Sequence, residues 1–283
     1  MSPLLSVLDE PELAWVDPVL PPVGWDHPET ARAYETFCRR HARYRKANRE
    51  LVRHASLSPG LRYLDLAAGT GRTAEAVLPA LGPTGRLCCI EPAAAMHELG
   101  QARLAGDERI AWRSDWPDDG DAFDRILCGA ALWQFSPMEH AISRIARHLA
   151  PGGALVFNIP SLYLGEPDLP GSGDDPNLVS LVGRVAARAT AIRPPAEWTF
   201  QADIPEIERM LREAGLTPQR WRFRVRITQR CLRDWMKIPV LSDHLLPDMA
   251  PLERASVIDA AFAETDAASW KWERWTGWTA WKR

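Results

Sequence analysis

The chain has 283 residues, 46% of them hydrophobic and 25% charged, and 34 basic against 37 acidic side chains give a net charge of −3. This is the composition of an ordinary globular protein, and its slight acidic excess excludes a generic binder of polyanions. Cys38, Cys88, Cys89, Cys128 and Cys231 show neither a CxxC pair nor metal-ligand spacing, which excludes a disulfide framework and a metal centre and points to a reducing, cytoplasmic compartment.

Residues 1 to 27 are rich in proline and acids without a period, which predicts an extended arm, with no basic stretch leading an apolar run as in a signal peptide. No apolar run approaches the roughly 20 residues of a membrane span. From Pro28 one helix is predicted, because Tyr34, Phe37, His41, Tyr44, Asn48, Leu51 and Ala55 recur in steps of three and four. Arg32, Arg39, Arg40, Arg43, Arg45, Lys46, Arg49 and Arg53 fall on its other face, expected to be solvated.

Strands and helices then alternate. Tyr63 to Leu66 is a strand, followed by a helix from Arg72 to Leu81; "RLCCIE" is the second strand, with a helix over Ala93 to Leu104 after it. "RIAWRS" and "FDRILCG" are the third and fourth strands, "SPMEHAISRIARHLA" a helix, and "GALVFNI" the fifth strand. Such repetition implies a parallel sheet covered on both faces. Beyond it, "GEPDLPGSGDDPN" reads as a loop, Leu178 to Ile192 as a helix, and "IPEIERMLREAGL" as a helix with Gly215 at its C-terminal cap. "RWRFRVRI" alternates as a strand, 231–269 is mostly helical, and "WERWTGWTAWKR" closes the chain as a strand. Of the 13 tryptophans, Trp270, Trp272, Trp275, Trp278 and Trp281 fall in or beside that strand, where large residues cover a sheet. Trp133, Trp198 and Trp235 fall in segments expected near a pocket, where an aromatic wall favours an apolar or planar ligand.

The stretch "LDLAAGTGRT" carries the most chemistry. A strand that meets an Ala/Gly turn and opens a helix lets a ligand approach backbone N–H groups closely. The triphosphate loop GxxxxGK[ST] is excluded, because no Lys–Ser/Thr follows these glycines. A dinucleotide fingerprint is formally present as Gly69, Gly71 and Ala74, with Glu91 about 20 residues on. "YLDLAAGTG" with Asp65, "CCIEPAAAM" with Glu91, "WRSDW" with Asp115, "FDRILCGAALWQF", and the "LAPGG" turn before the fifth strand follow in fixed order. In that order and spacing the chain resembles the class I S-adenosylmethionine-dependent methyltransferases over about residues 60 to 160. It departs at Ala67, where the family carries Gly; Ala is tolerated there if its φ is negative.

The resemblance implies a doubly wound, Rossmann-like sheet of seven strands with an antiparallel closing strand, under a lid of N-terminal and inserted helices. It implies an arm at 1–27 and one domain at 28–283, with its core at about 57–160 and cap segments at 28–56, 161–200 and 231–269. S-adenosylmethionine is the implied cofactor, held by Tyr44, Asp65, Ala67, Gly69, Gly71, Glu91, Pro92, Asp115, Trp116 and Cys128. In this reading Glu91 accepts the ribose hydroxyls, Asp115 the adenine amine, and the Trp116 backbone serves the ring. Tyr34, Phe37, Trp133, Gln134, Tyr163 and Trp235 are the implied acceptor contacts. His41 and His244, the latter beside Asp243, are candidate bases, although a base is needed only where the acceptor must lose a proton.

Extra cover over the pocket favours an enclosed site for a small, hydrophobic or aromatic metabolite of secondary metabolism over a nucleic acid or protein substrate. A hydroxyl oxygen is the favoured methyl acceptor, and neither nucleic acid nor membrane is an expected partner. "FNIP" is not the (D/N)PPY motif of nucleobase methyltransferases, since Asn158 lies on the fifth strand and one Pro follows. An NAD(P)-dependent oxidoreductase, a non-catalytic cofactor binder, and transfer of an aminocarboxypropyl group are the competing readings.

Overall fold

Five apolar runs form parallel strands, and those in the middle of the sheet are buried on both faces. In the computed structural model they are β1 (Arg62–Leu66), β2 (Arg86–Ile90), β3 (Ile110–Arg113), β4 (Phe123–Gly129) and β5 (Leu149–Pro160). The structure describes residues 24–118, 120–172, 178–190 and 203–283. Residues 1–23 of the expected arm, Trp198 and the end of the helix expected to reach Ile192 lie outside them.

The spatial order is β3-β2-β1-β4-β5, continued by the antiparallel strand β8 (Trp270–Lys282). On β5, Ala154 lies opposite Trp281 and Pro160 opposite Trp275. The long strand β7 (Leu216–Thr228) pairs antiparallel along the other edge of β8, from Leu216 opposite Lys282 to Thr228 opposite Trp270. This is the expected doubly wound sheet with its antiparallel closing strand, but it has eight strands. The extra one, β6 (Leu169–Ser172), arises in the stretch read as a loop. β5 ends opposite Trp275, so the start of β8 is left with a free edge that β6 fills. Pro170 is tolerated in so short an edge strand. A Cβ on Gly171 would sit 1.8 Å from the Trp270 carbonyl oxygen, so only glycine permits that approach.

Alternate residues of the parallel strands feed two apolar layers. Leu64, Leu66, Ile126, Cys128, Leu155 and Phe157 pack with α5 (Met138–His148) and α7 (Ile204–Glu213). Tyr63, Leu87, Cys89, Leu127 and Val156 pack with α3 (Arg72–Leu81) and the second N-terminal helix. Trp278 is fully buried and stacks on Phe157 at 5.0 Å, which ties the closing strand to the core. Asp203 caps α7, accepting from Glu206 N at 2.8 Å, and Gly215 ends it at φ 78° as expected.

The helix expected over Pro28 to Ala55 is two helices, α1 (Pro28–Arg40) and α2 (Arg43–His54). His41 is extended (φ −118°, ψ 142°), and the break turns Arg43 inward to the Glu273 carboxylate. Periodicity placed Arg43 on the solvated face because it counts residues along an unbroken helix. A third apolar cluster joins α1 and α2 to α6 (Leu178–Thr190) and to α8 (Gln229–Met236), α9 (Pro239–Leu245) and α10 (Pro251–Ala263), with Val225, Ile227 and Trp275 beneath. The helical segments outside the α/β core thus pack together over one end of the sheet. The remaining parallel-sheet helix is α4 (Ala94–Arg103). Among the described residues no helix is long and apolar enough to cross a membrane.

Candidate active site

At the carboxyl ends of β1 and β4 lies a cavity of roughly 880 Å³ including its mouth, the place where open α/β sheets hold ligands. Its floor is the turn after β1. Ala67 and Gly69 have φ of 57° and 55°, and Gly71, at φ 77°, starts α3. The negative φ expected for Ala67 is corrected: the turn needs a left-handed residue there, which an L side chain adopts at a cost of about 1–2 kcal/mol. Ala68 N donates to Ile90 O at 2.9 Å, which fixes the turn to the end of β2.

Glu91, only 4% exposed, follows β2 and lines the cavity. Its carboxylate accepts from Gly69 N at 2.7 Å and from Ala93 N at 2.9 Å. Burial pushes its pKa up to about 7, against the pull of those two N–H groups. Asp65 sits deeper at the end of β1; burial, with Glu91 adding to it, raises its carboxyl to about 8 against the pull of the Ala74 backbone N–H.

Above the turn, α1 is latched by Glu35. The Glu35 carboxylate accepts from Arg103 at 2.6 Å, Arg39 at 3.0 Å, the Thr70 hydroxyl at 3.1 Å, and Arg72. Burial works to raise its pKa, but these guanidinium groups hold it below the ordinary value.

The opposite wall comes from the end of β4. Ala130, the second non-glycine residue in the cavity with a positive φ (55°), is gripped by Asn158 of β5. Asn158 Oδ1 accepts from Ala130 N at 2.9 Å while its Nδ2 donates to Ala47 O of α2 at 3.0 Å. Ala130 O accepts from Trp133 Nε1 at 3.0 Å, and the Trp133 ring stacks on Tyr163 at 3.9 Å. The roof holds Trp235, whose Nε1 donates to the Tyr44 hydroxyl at 3.0 Å, and Trp25, whose Nε1 donates to Gln134 Oε1 at 3.0 Å.

This geometry matches what S-adenosylmethionine offers. The buried acceptor Glu91 suits a ribose diol, and the turn brings backbone to the methionine portion. Residues 64–155 match the family model of a methyltransferase domain. Residues 64–155 are thus a methyltransferase domain. The chain is 35% identical over 137 residues to a demethylmenaquinone methyltransferase of Clavibacter sepedonicus, covering 45% of this chain and 55% of that protein. A demethylmenaquinone methyltransferase of Staphylococcus aureus is 26% identical over 181 residues, 59% of this chain and 72% of that protein. The chain thus spans about half the length of the first of these relatives. Among solved structures, YcgJ of Bacillus subtilis superposes with a TM-score of 0.55 at 18% identity, covering 84% of this chain and 99% of that one. The [4+2]-cyclase SpnF superposes with 0.51 at 19% identity, covering 84% and 80%. At such identities the likeness carries the fold alone.

Of the residues predicted to hold the cofactor, Tyr44, Ala67, Gly69, Glu91 and Pro92 line the cavity of the methyltransferase domain. Gly71 stands at the helix start, and Asp65 and Cys128 are buried without lining it. Asp115 is exposed, and its carboxylate accepts from Trp116 N at 2.7 Å instead of reaching inward. The Trp116 ring is buried against His148. Of the predicted acceptor contacts, Tyr34, Trp133, Gln134, Tyr163 and Trp235 line the cavity; Phe37 is buried beside it, against His41 and Tyr44. His41 bonds Asp234 of α8 at 2.9 Å, and His244 lies on α9; neither lines the cavity. Trp25, Met96, Ala130, Pro160 and Leu241 line it without having been singled out. The "PVGWDHPE" sequence held a signal for Trp25: a large aromatic two residues ahead of a His–Pro helix start.

Proposed function

We propose that this chain transfers a methyl group from S-adenosylmethionine to a small, planar, hydrophobic acceptor. The observation that carries the reading is one continuous cavity, running from Glu91 and the β1 turn to the Trp133–Tyr163 stack. S-adenosylmethionine supplies a methyl already activated on sulfur, so the protein's part is placement and exclusion of water. Glu91 and the Gly69 backbone hold the cofactor end; Trp133, Tyr163 and Trp235 present flat apolar faces to the acceptor. The segments 28–56 and 231–269 serve as the cap. The names of the relatives, demethylmenaquinone and ubiquinone/menaquinone C-methyltransferases, favour a quinone-like ring methylated at carbon over the hydroxyl oxygen that the sequence favoured.

Calorimetry with S-adenosylhomocysteine and with NAD tests the cofactor: tight binding of the first and silence from the second are expected. Tight NAD binding with no S-adenosylhomocysteine binding sinks the reading. Mass spectrometry of naphthoquinols incubated with S-adenosylmethionine should show a hydrogen replaced by methyl, and fragmentation assigns the atom. A larger increment would mean transfer of the aminocarboxypropyl group instead.

A further inference from the structure

A second groove, roughly 730 Å³ including its mouth, lies between α1 and α8 and shares no lining residue with the methyltransferase cavity. Arg32 and Arg40 of α1 line it, with Arg233 of α8 and Lys237 just beyond that helix. Asp234 is the one acid among the lining residues, and Phe37 is buried in the wall. The two helices divide their side chains by face: Tyr34 and Trp235 line the cavity, their charged neighbours the groove.

The charges in the groove do not balance. Asp234 Oδ1 accepts from Arg233 Nε at 2.9 Å and Nη2 at 2.6 Å, and its Oδ2 bonds His41 at 2.9 Å, so both oxygens are engaged. Lys237 donates to Asp259 of α10 at 2.6 Å. The guanidinium groups of Arg32 and Arg40 have no partner among the described residues. These two flank Thr36 at four-residue steps on one helix face, so both long side chains lie within reach of a single group between them. On a solvated face, charges spread over open surface, as Arg45 and Arg49 do on α2; in a groove they focus a positive field.

Two uncancelled positive charges set the class of ligand. A carboxylate cancels one of them. A phosphate monoester, at about −1.5 to −2 near neutral pH, cancels both and offers three acceptor oxygens to the guanidinium forks.

We propose that this groove binds a phosphate-bearing ligand through Arg32 and Arg40 of α1 and Arg233 and Lys237 beside it, so that the anion clasps the two cap helices together. Such binding does not depend on the methyl-transfer reading. A soluble phosphate and a lipid headgroup present the same chemistry here, and the two are separated by experiment.

Calorimetry on the whole chain at low ionic strength, where exposed charges are least screened, should show pyrophosphate binding. Arg32→Gln with Arg40→Gln should weaken it at least about tenfold, the scale of a lost charge-assisted hydrogen bond. Both side chains are exposed, so this variant should unfold no earlier than the wild type when pyrophosphate is absent. Arg45→Gln with Arg49→Gln removes the same charge outside the groove and should leave the affinity unchanged. Hydrogen exchange should slow along both 28–40 and 229–236 when pyrophosphate is added. Phosphatidylglycerol vesicles, set against phosphatidylcholine, name the source. Sedimentation of the wild type but not of the Arg32/Arg40 variant assigns a lipid headgroup; pyrophosphate binding without sedimentation assigns a soluble ligand. Binding of neither pyrophosphate nor the anionic vesicles overturns the site, and equal loss in the two double variants reduces it to net charge. Unchanged exchange in either helix overturns the clasp. Should the Arg32/Arg40 variant not fold, the wild-type exchange pattern decides alone.

Discussion

Two alanines, Ala67 and Ala130, hold left-handed backbone at the edge of one cavity, at φ 57° and 55°. Neither has a glycine's freedom, so the surrounding structure must impose the conformation. Ala67→Gly removes the Cβ penalty of about 1–2 kcal/mol and adds a glycine entropy cost of about 0.5–1 kcal/mol. Urea unfolding should therefore show a gain of up to about 1 kcal/mol; a clear loss would contradict the strain assignment. Glu91 is the second test at this scale. Glu91→Ala should weaken S-adenosylhomocysteine binding by about 1.5–3 kcal/mol, the worth of hydrogen bonds to a charged group. Its folded pKa, about 7, lies above the ordinary 4.5, so the folded chain holds that proton more tightly than the unfolded one. The stability this gives is fully present below 4.5 and is lost as pH rises through 7. Ligand affinity runs the opposite way, because only the ionised carboxylate accepts two hydroxyls. Calorimetry from about pH 6 to about pH 8 should show binding tightening with pH, and a flat profile would remove Glu91 from the ribose.

Elements meet at this site through single side chains. Asn158 joins β5 to the strained end of β4 and to α2, and through Ala130 it sets the Trp133 ring. Asn158→Leu leaves the buried Ala130 N–H unpaired, at about 1–3 kcal/mol, while Ala47 O keeps its partner within α2. Chemical denaturation should register a loss of that size, and an unchanged midpoint would remove Asn158 from holding Ala130. Glu35 plays the corresponding part for α1, gathering Arg39, Arg72, Arg103 and Thr70 over the turn. In Glu35→Gln, hydrogen exchange should quicken along 28–40 and cofactor affinity should drop. Unchanged exchange there would mean that Trp25, Tyr34 and the apolar contacts hold α1 without the latch.

Across the whole molecule the cap helices and the parallel sheet enclose the same cavity, so a ligand filling it links them. At a hundredfold excess over Kd, S-adenosylhomocysteine should add about 2.7 kcal/mol to unfolding. It should also slow exchange in both α1 and α8, which carry Tyr34 and Trp235 into the cavity. Protection confined to 64–100 would show that the cap does not respond to the cofactor.

The strand–helix alternation, the glycine turn and Glu91 were all legible in the sequence, because each is local: an apolar run, a turn residue, an acid at a strand end. The resemblance to methyltransferases followed from their order, and residues 64–155 match that domain. Tertiary structure decided what local patterns do not encode. A break at His41 turned Arg43 from a solvated face to a buried partner of Glu273, 230 positions away. The free edge of β8 made a strand of Leu169–Ser172. Asp115 turned onto the Trp116 backbone, and His41 went to Asp234 rather than to the cavity, because side-chain direction depends on which partners the fold brings within reach. Periodicity identifies which residues share a face; only packing of distant segments fixes what that face meets.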